Sequence, residues 1–224
     1  HRFADVFAQA KRAPESVRAQ IQALPGVAAV ETRVVMDVTA DVPGLDEPAS
    51  ARIVSIPSKN EPLLNVLFLR EGRMPEPNRA DEALISESFA SANGLHTGDK
   101  LSVVLNGRWQ GLRISGIALS PEYVYEVRPG DVFPDNRRFG ILWMDRDAIE
   151  AALNMDGAFN DVAISLARDA NEKDVIARVD QLLDRYGSLG AYGRDDQISA
   201  RIVQDHIEEI RTSGLILPSI FLGI

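Results

Sequence analysis

Leu101-Ser102-Val103-Val104-Leu105-Asn106-Gly107-Arg108-Trp109-Gln110-Gly111-Leu112-Arg113-Ile114-Ser115-Gly116-Ile117 carries the clearest local signal in the chain. Two apolar-rich runs, 101–105 and 108–117, flank Asn106-Gly107. That pair is favoured in two-residue hairpin turns, where both central positions need positive φ. The stretch predicts an antiparallel β-hairpin. Just before it, Ala83-Leu84-Ile85 reads as a short strand, and Ser86 caps a short helix that ends at Asn93-Gly94. Leu67-Phe68-Leu69 is a further strand, separated from it by a polar loop through Pro75, Pro77 and Asn78.

Toward the N-terminus, Ala13-Pro14-Glu15 is read as a helix start, with Pro14 at the first helical position. Val17, Ile21 and Leu24 follow at helical spacing until Pro25-Gly26. Residues 27–40, rich in Val and Thr, predict a strand with 51–56 as its partner. This opening is read as a strand–helix–strand unit.

Beyond the hairpin the regular pattern breaks. Residues 120–138 hold three prolines, two tyrosines and three arginines in 19 positions, and loops of this length often carry function. A strand over 139–144 follows, then a helix capped by Asp145 with Ile149 and Leu153 facing inward. Residues 162–166 predict a strand. Asn171 caps a helix with Val175, Ile176, Val179, Leu182 and Leu183 on one face. A last helix is expected over 196–212, with Ile198, Ile202, Val203, Ile207 and Ile210 on its apolar face. The apolar run 214–224 reads either as a helix docking on its own core or as the first turns of a membrane-spanning helix, which needs about 20 such residues.

Composition narrows the function. The chain has 224 residues, 45% hydrophobic and 25% charged, which is globular composition. With 33 acidic against 24 basic residues and a net charge of −9, it has no basic stripe for nucleic acid. It has no cysteine, so thiolate metal sites, disulfides and cysteine nucleophiles are excluded. Gly94-Leu95-His96-Thr97-Gly98-Asp99-Lys100 superficially matches a phosphate loop, but its glycine spacing is short. Asp99, next to Lys100, would also repel phosphate. His1, His96 and His206 are widely separated, Asp145 and Asp147 are better explained as helix-start residues, and Glu208-Glu209 as a solvated face. No catalytic, cofactor-binding or metal residue is assigned, and no enzyme activity is expected.

The segment 116–144 also supports a resemblance. Gly116-Ile117-Ala118-Leu119-Ser120-Pro121-Glu122-Tyr123-Val124-Tyr125, Arg128-Pro129-Gly130-Asp131, Phe133-Pro134-Asp135 and Phe139-Gly140-Ile141-Leu142-Trp143-Met144 resemble extracytoplasmic segments of bacterial ABC-transporter permeases of the FtsX/MacB superfamily. Phe3-Ala4-Asp5-Val6-Phe7-Ala8, Lys11-Arg12-Ala13-Pro14, Pro25-Gly26-Val27, Glu71-Gly72-Arg73-Met74-Pro75 and Leu217-Pro218-Ser219-Ile220-Phe221-Leu222-Gly223 fit the same pattern in the same order.

The resemblance implies an α+β periplasmic core domain of two lobes. A porter-like α/β lobe would be built from both chain ends (1–62 and 139–213), with an inserted β-rich lobe (63–138) and the start of a transmembrane helix (214–224). It implies a bacterial inner-membrane protein with this domain in the periplasm. Its partners would be a cytoplasmic ABC ATPase, a second permease copy, and a periplasmic or outer-membrane protein. No cofactor is implied. The function would be mechanical relay of ATP-driven movement for export or extraction of a hydrophobic, lipidated or peptide-like cargo. The expected contact surface is the 120–143 segment, with Tyr123, Tyr125, Phe133 and Trp143 as anchors and Arg128, Arg137 and Arg138 as polar contacts. The competing assignment for these residues is structural: aromatics in the core, arginines pinning the loop through Asp131 and Asp135. For the chain as a whole the alternative is an extracytoplasmic sensor domain that binds a ligand or partner and transmits no force.

Overall fold

The computed structural model describes residues 3–58, 63–131, 133–197 and 199. In chain order the elements begin β1 (Val6–Pro14), α1 (Ser16–Gln22), β2 (Val27–Arg33), β3 (Val35–Asp41), β4 (Ala49–Ile56), β5 (Phe68–Gly72) and β6 (Glu82–Ser86). They continue α2 (Glu87–Asn93), β7 (Lys100–Leu105), β8 (Arg108–Leu119), β9 (Phe139–Asp145), α3 (Arg146–Leu153), β10 (Ala158–Leu166), α4 (Glu172–Leu183) and β11 (Ser188–Gly193). The α+β class and the division into two lobes match the sequence expectation.

The smaller lobe is a four-stranded sheet in the order β11-β1-β10-β2, antiparallel throughout. Helices α1 and α4 cover one face, burying Val17, Ile21, Val175, Val179 and Leu183 against Val6, Ala8, Val30, Val162 and Ile164. On the other face Phe7 and Ala163 pack with Ala4 and Leu64, and Tyr192 stacks on Phe7 at 5.7 Å between ring centroids. Strand β1 is therefore enclosed on both faces, which removes the alternating pattern expected of a half-exposed strand.

The larger lobe is a seven-stranded sheet, β5-β8-β6-β9-β4-β3-β7, in which β7 also pairs with β8. The long β8 makes this closure possible. Its first half pairs with β7, and its second half with β6 on one side and β5 on the other. The six strands β7, β8, β6, β9, β4 and β3 thus form a closed ring, which leaves few free edges. Its interior is filled by Val38, Ile53, Ile85, Val103, Leu112, Ile114, Leu142 and Met144, with Phe89 of α2 and Ile149 of α3 packed in. The β7–β8 turn is the expected one: Asn106 and Gly107 sit at φ 48° and 75°.

The structure corrects three expectations. Pro14 ends β1 opposite Ala158, and the helix starts two residues later at Ser16. A proline at a strand end forfeits little, because the ladder stops there anyway. The 27–40 segment is not one strand. It passes at Val34 from the small sheet (β2) into the ring (β3), where the Val34 N–H donates to Ser55 Oγ at 2.8 Å. Finally, β3, β4, β9 and α3 belong with the larger lobe, although the expected porter-like ranges included them. Parallel pairing of β4 with β9, both heavily buried, draws them into the ring together. The expected helix over 196–212 and the run 214–224 lie outside the described residues, apart from 196–197 and Ser199. Among the described residues, no helix is long and apolar enough to cross a membrane.

Candidate functional site

The loop that leaves β8 runs back across the outer face of β9 before its tip turns out to solvent. Its two halves differ in character. In the first half, Tyr123 packs edge-on against Trp143 at 6.4 Å, over an apolar cluster of Val54, Ile56, Leu84, Phe139 and Ile141. Glu122, Glu126 and Val127 are buried. In the second half, Phe133 is 79% exposed, while Arg137 is exposed, and so are Arg128 paired with Asp131 and Arg138 paired with Glu47.

The expected contact residues therefore do not form one surface. Trp143 is a core residue on β9, 2% exposed. Tyr123 is half-buried against it. Tyr125 is half-buried as well, with its N–H donating to Ser199 Oγ at 2.9 Å. Only Arg128, Phe133, Arg137 and Arg138 share the exposed end of the loop.

The polar groups that hold the first half in place escaped the sequence reading. Arg33, at the end of β2, is buried and makes a forked contact with Glu122, Nη1 to Oε2 at 2.5 Å and Nη2 to Oε1 at 3.0 Å. The same guanidinium reaches Asp161 of β10 at 2.6 Å. Burial acts to lower the Arg33 pKa, but the charges of Asp161 and Glu122 outweigh it and raise it well above the ordinary value. Arg33 stays a cation, wedged between carboxylates from both lobes. Asn65 Nδ2 donates to Glu122 Oε2 at 2.7 Å, and its carbonyl oxygen accepts from the Ala4 N–H. Further along, Glu126 Oε2 accepts from Ser86 Oγ at 2.7 Å, and Ser86 Oγ in turn accepts from the Ile141 N–H. Burial raises Glu126 from an ordinary 4.5 to about 7.

Other contacts between the lobes are polar as well. Arg146 of α3 donates to the Thr32 carbonyl at 2.6 Å and to Glu15 at 2.8 Å. Asn160 of β10 exchanges two 2.7 Å bonds with the Val35 backbone, as a neighbouring strand would. Burial raises the Glu31 carboxyl even though the Leu64 and Leu63 amides donate to it. Between the lobes lies a polar cavity of about 50 Å³, bordered by Gln9, Arg52, Glu122, Tyr123, Asp161 and Tyr192. It has room for a few waters and not for an organic substrate. Among the described residues, no group of three or more His, Asp or Glu side chains is placed to hold a metal ion.

The two ends of the described chain meet at one corner of the small lobe. Val6 of β1 lies opposite Gly193 of β11. Arg194 donates to the Phe3 and Ala4 carbonyls and to Asp5, with its guanidinium 4.8 Å from the Phe3 ring centroid.

This two-lobed fold is similar to those of two solved extracytoplasmic domains of transporters. One solved structure with this fold is the extracellular domain of the noncanonic ABC-type transporter YknZ from Gram-positive bacteria. It aligns over 85% of this chain and 98% of its own, with a TM-score of 0.51 at 13% identity. Another is the periplasmic region of MacB from Actinobacillus actinomycetemcomitans, aligned over 92% of this chain and 94% of its own, with a TM-score of 0.51 at 11% identity. No family model and no curated protein matches the chain by sequence.

Proposed function

We propose that this chain is the extracytoplasmic domain of an ABC-transporter permease. In this reading it relays movement, driven by ATP hydrolysis in a partner cytoplasmic subunit, toward export or extraction of a hydrophobic, lipidated or peptide-like cargo. The observation that carries the reading is the likeness of the whole two-lobed fold to domains of two ABC-type transporters, nearly end to end on both sides of each alignment. The pairing of the first strand with the last described one, Val6 opposite Gly193, supports it, since a pull on either strand would act on the same corner of the small lobe. The domain performs no chemistry of its own; it holds and moves. The exposed half of the loop, with Arg128, Phe133, Arg137 and Arg138, is its contact surface for a periplasmic partner or cargo, as aromatic and arginine side chains concentrate interface energy.

The coding sequence on either side tests this directly. An apolar stretch of about 20 residues on each flank is expected. Polar, soluble flanks on both sides would overturn the permease reading and leave a sensor domain in its place.

A further inference from the structure

The geometry points to residues 120–127 as a strap that mechanically couples the residues leaving the small lobe, 194–197 and Ser199, to the ring of the larger lobe. The two lobes have separate apolar cores, so their relative position depends on what crosses between them. The strap is fastened at three kinds of point. To the ring it is held by Glu126 on Ser86 and by Tyr123 on Trp143. To the small sheet it is held by Glu122 on Arg33, which is itself anchored by Asp161. To the departing segment it is held by its backbone. The Glu122 carbonyl accepts from Gln197 Nε2 at 2.7 Å, and the Tyr125 N–H donates to Ser199 Oγ at 2.9 Å.

Glu122 is where the fastenings to the small sheet and to the departing segment meet. Its carboxylate takes the Arg33 fork and the Asn65 amide, while its carbonyl takes Gln197. A displacement of Gln197 therefore shifts the Glu122 backbone and loads the buried Arg33 pair. Directional, buried, charge-assisted bonds yield abruptly, because a partly broken one leaves a desolvated charge unpaired. The strap thus passes on small movements rigidly and releases only under larger ones. Its role in force relay rests on the transport reading above; the coupling itself does not.

Amide hydrogen exchange on the 224-residue chain tests the coupling without ATP, membrane or cargo, so a failure here would overturn the strap and leave the transport reading untouched. Glu122→Gln keeps the side-chain shape and leaves Arg33 neutralised by Asp161, so the chain should still fold. It is expected to speed exchange about tenfold at Tyr125 and across 194–197, with the β7–β8 hairpin unchanged. Ser199→Ala, made at the other end, is expected to speed exchange at Glu122 and Tyr123. Asp81→Asn, which removes a charge from an exposed pair with Arg79, should do neither. Acceleration confined to the residues beside each substitution would overturn the proposal. So would an equal rise in the hairpin.

Discussion

Arg33 neutralises two buried carboxylates that come from different lobes, and removing it strands both. Arg33→Met is expected to cost about 3–5 kcal/mol, the cost of an unpaired buried charge, in urea denaturation. A loss below 1 kcal/mol, as for an exposed ion pair, would contradict the described burial. Glu126 acts in the opposite sense. Its carboxyl is raised from 4.5 to about 7, so folding favours the protonated form. The stabilisation is full below about pH 4.5 and is lost as pH rises through about 7. Glu126→Gln, which keeps an acceptor for Ser86, should match the parent at pH 4.5. It should be more stable at pH 8, by about 3 kcal/mol at most. Identical pH profiles for the two proteins would show that Glu126 is not desolvated. Neither residue was legible beforehand. Glu122 and Asp161 lie 89 and 128 positions from Arg33, and no local pattern marks charges that meet only through the tertiary fold. Two of the local cap signals did hold, whereas Ser86 sits at the start of α2 but its hydroxyl donates to Glu126 and caps nothing. Asp145 accepts from the Ala148 N–H and Asn171 from the Lys173 N–H, as helix caps should.

Among the elements, β9 shows why a continuous apolar run was informative about burial but silent about lobe. Leu142 and Met144 face the ring interior, while Phe139, Ile141 and Trp143 face the strap. Both faces are dry, so the run 139–144 reads as a buried strand in any sheet. Its parallel register with β4, Ile53 opposite Leu142 and Val54 opposite Trp143, and its antiparallel pairing with β6 assign it to the larger lobe. The close fit between β9 and α2 has a direct test. A Cβ on Gly140 would stand 2.2 Å from Phe89 Cγ, and Phe89 is fully buried with nowhere to move. Gly140→Ala is therefore expected to destabilise the domain by about 3 kcal/mol or more. Gly111→Ala, on β8 with nothing within 4 Å of the added carbon, should change stability little. Comparable melting temperatures for the two variants would contradict the packing of α2 into the ring.

At the scale of the molecule, the resemblance read from short motifs anticipated the two-lobed architecture but placed its boundary too generously around the chain ends. The small lobe needs only the outer strands, and the chain crosses to the ring at Val34. The expected contact surface contracts in the same way. Half of the 120–138 loop is occupied in holding the lobes together, and the half around Phe133 faces outward. The proposed function requires this domain to move in step with ATP hydrolysis elsewhere in a permease. Because the chain contains no cysteine, Phe133→Cys gives a single exposed labelling site within the domain. Its spin-labelled form can be placed in the full permease with its ATPase, cleared of other cysteines. The label-to-label distance between two copies is then measured without nucleotide and with ATP trapped. A shift of the distance distribution between the two states is the expected result; the same distribution in both would contradict a role in relaying movement.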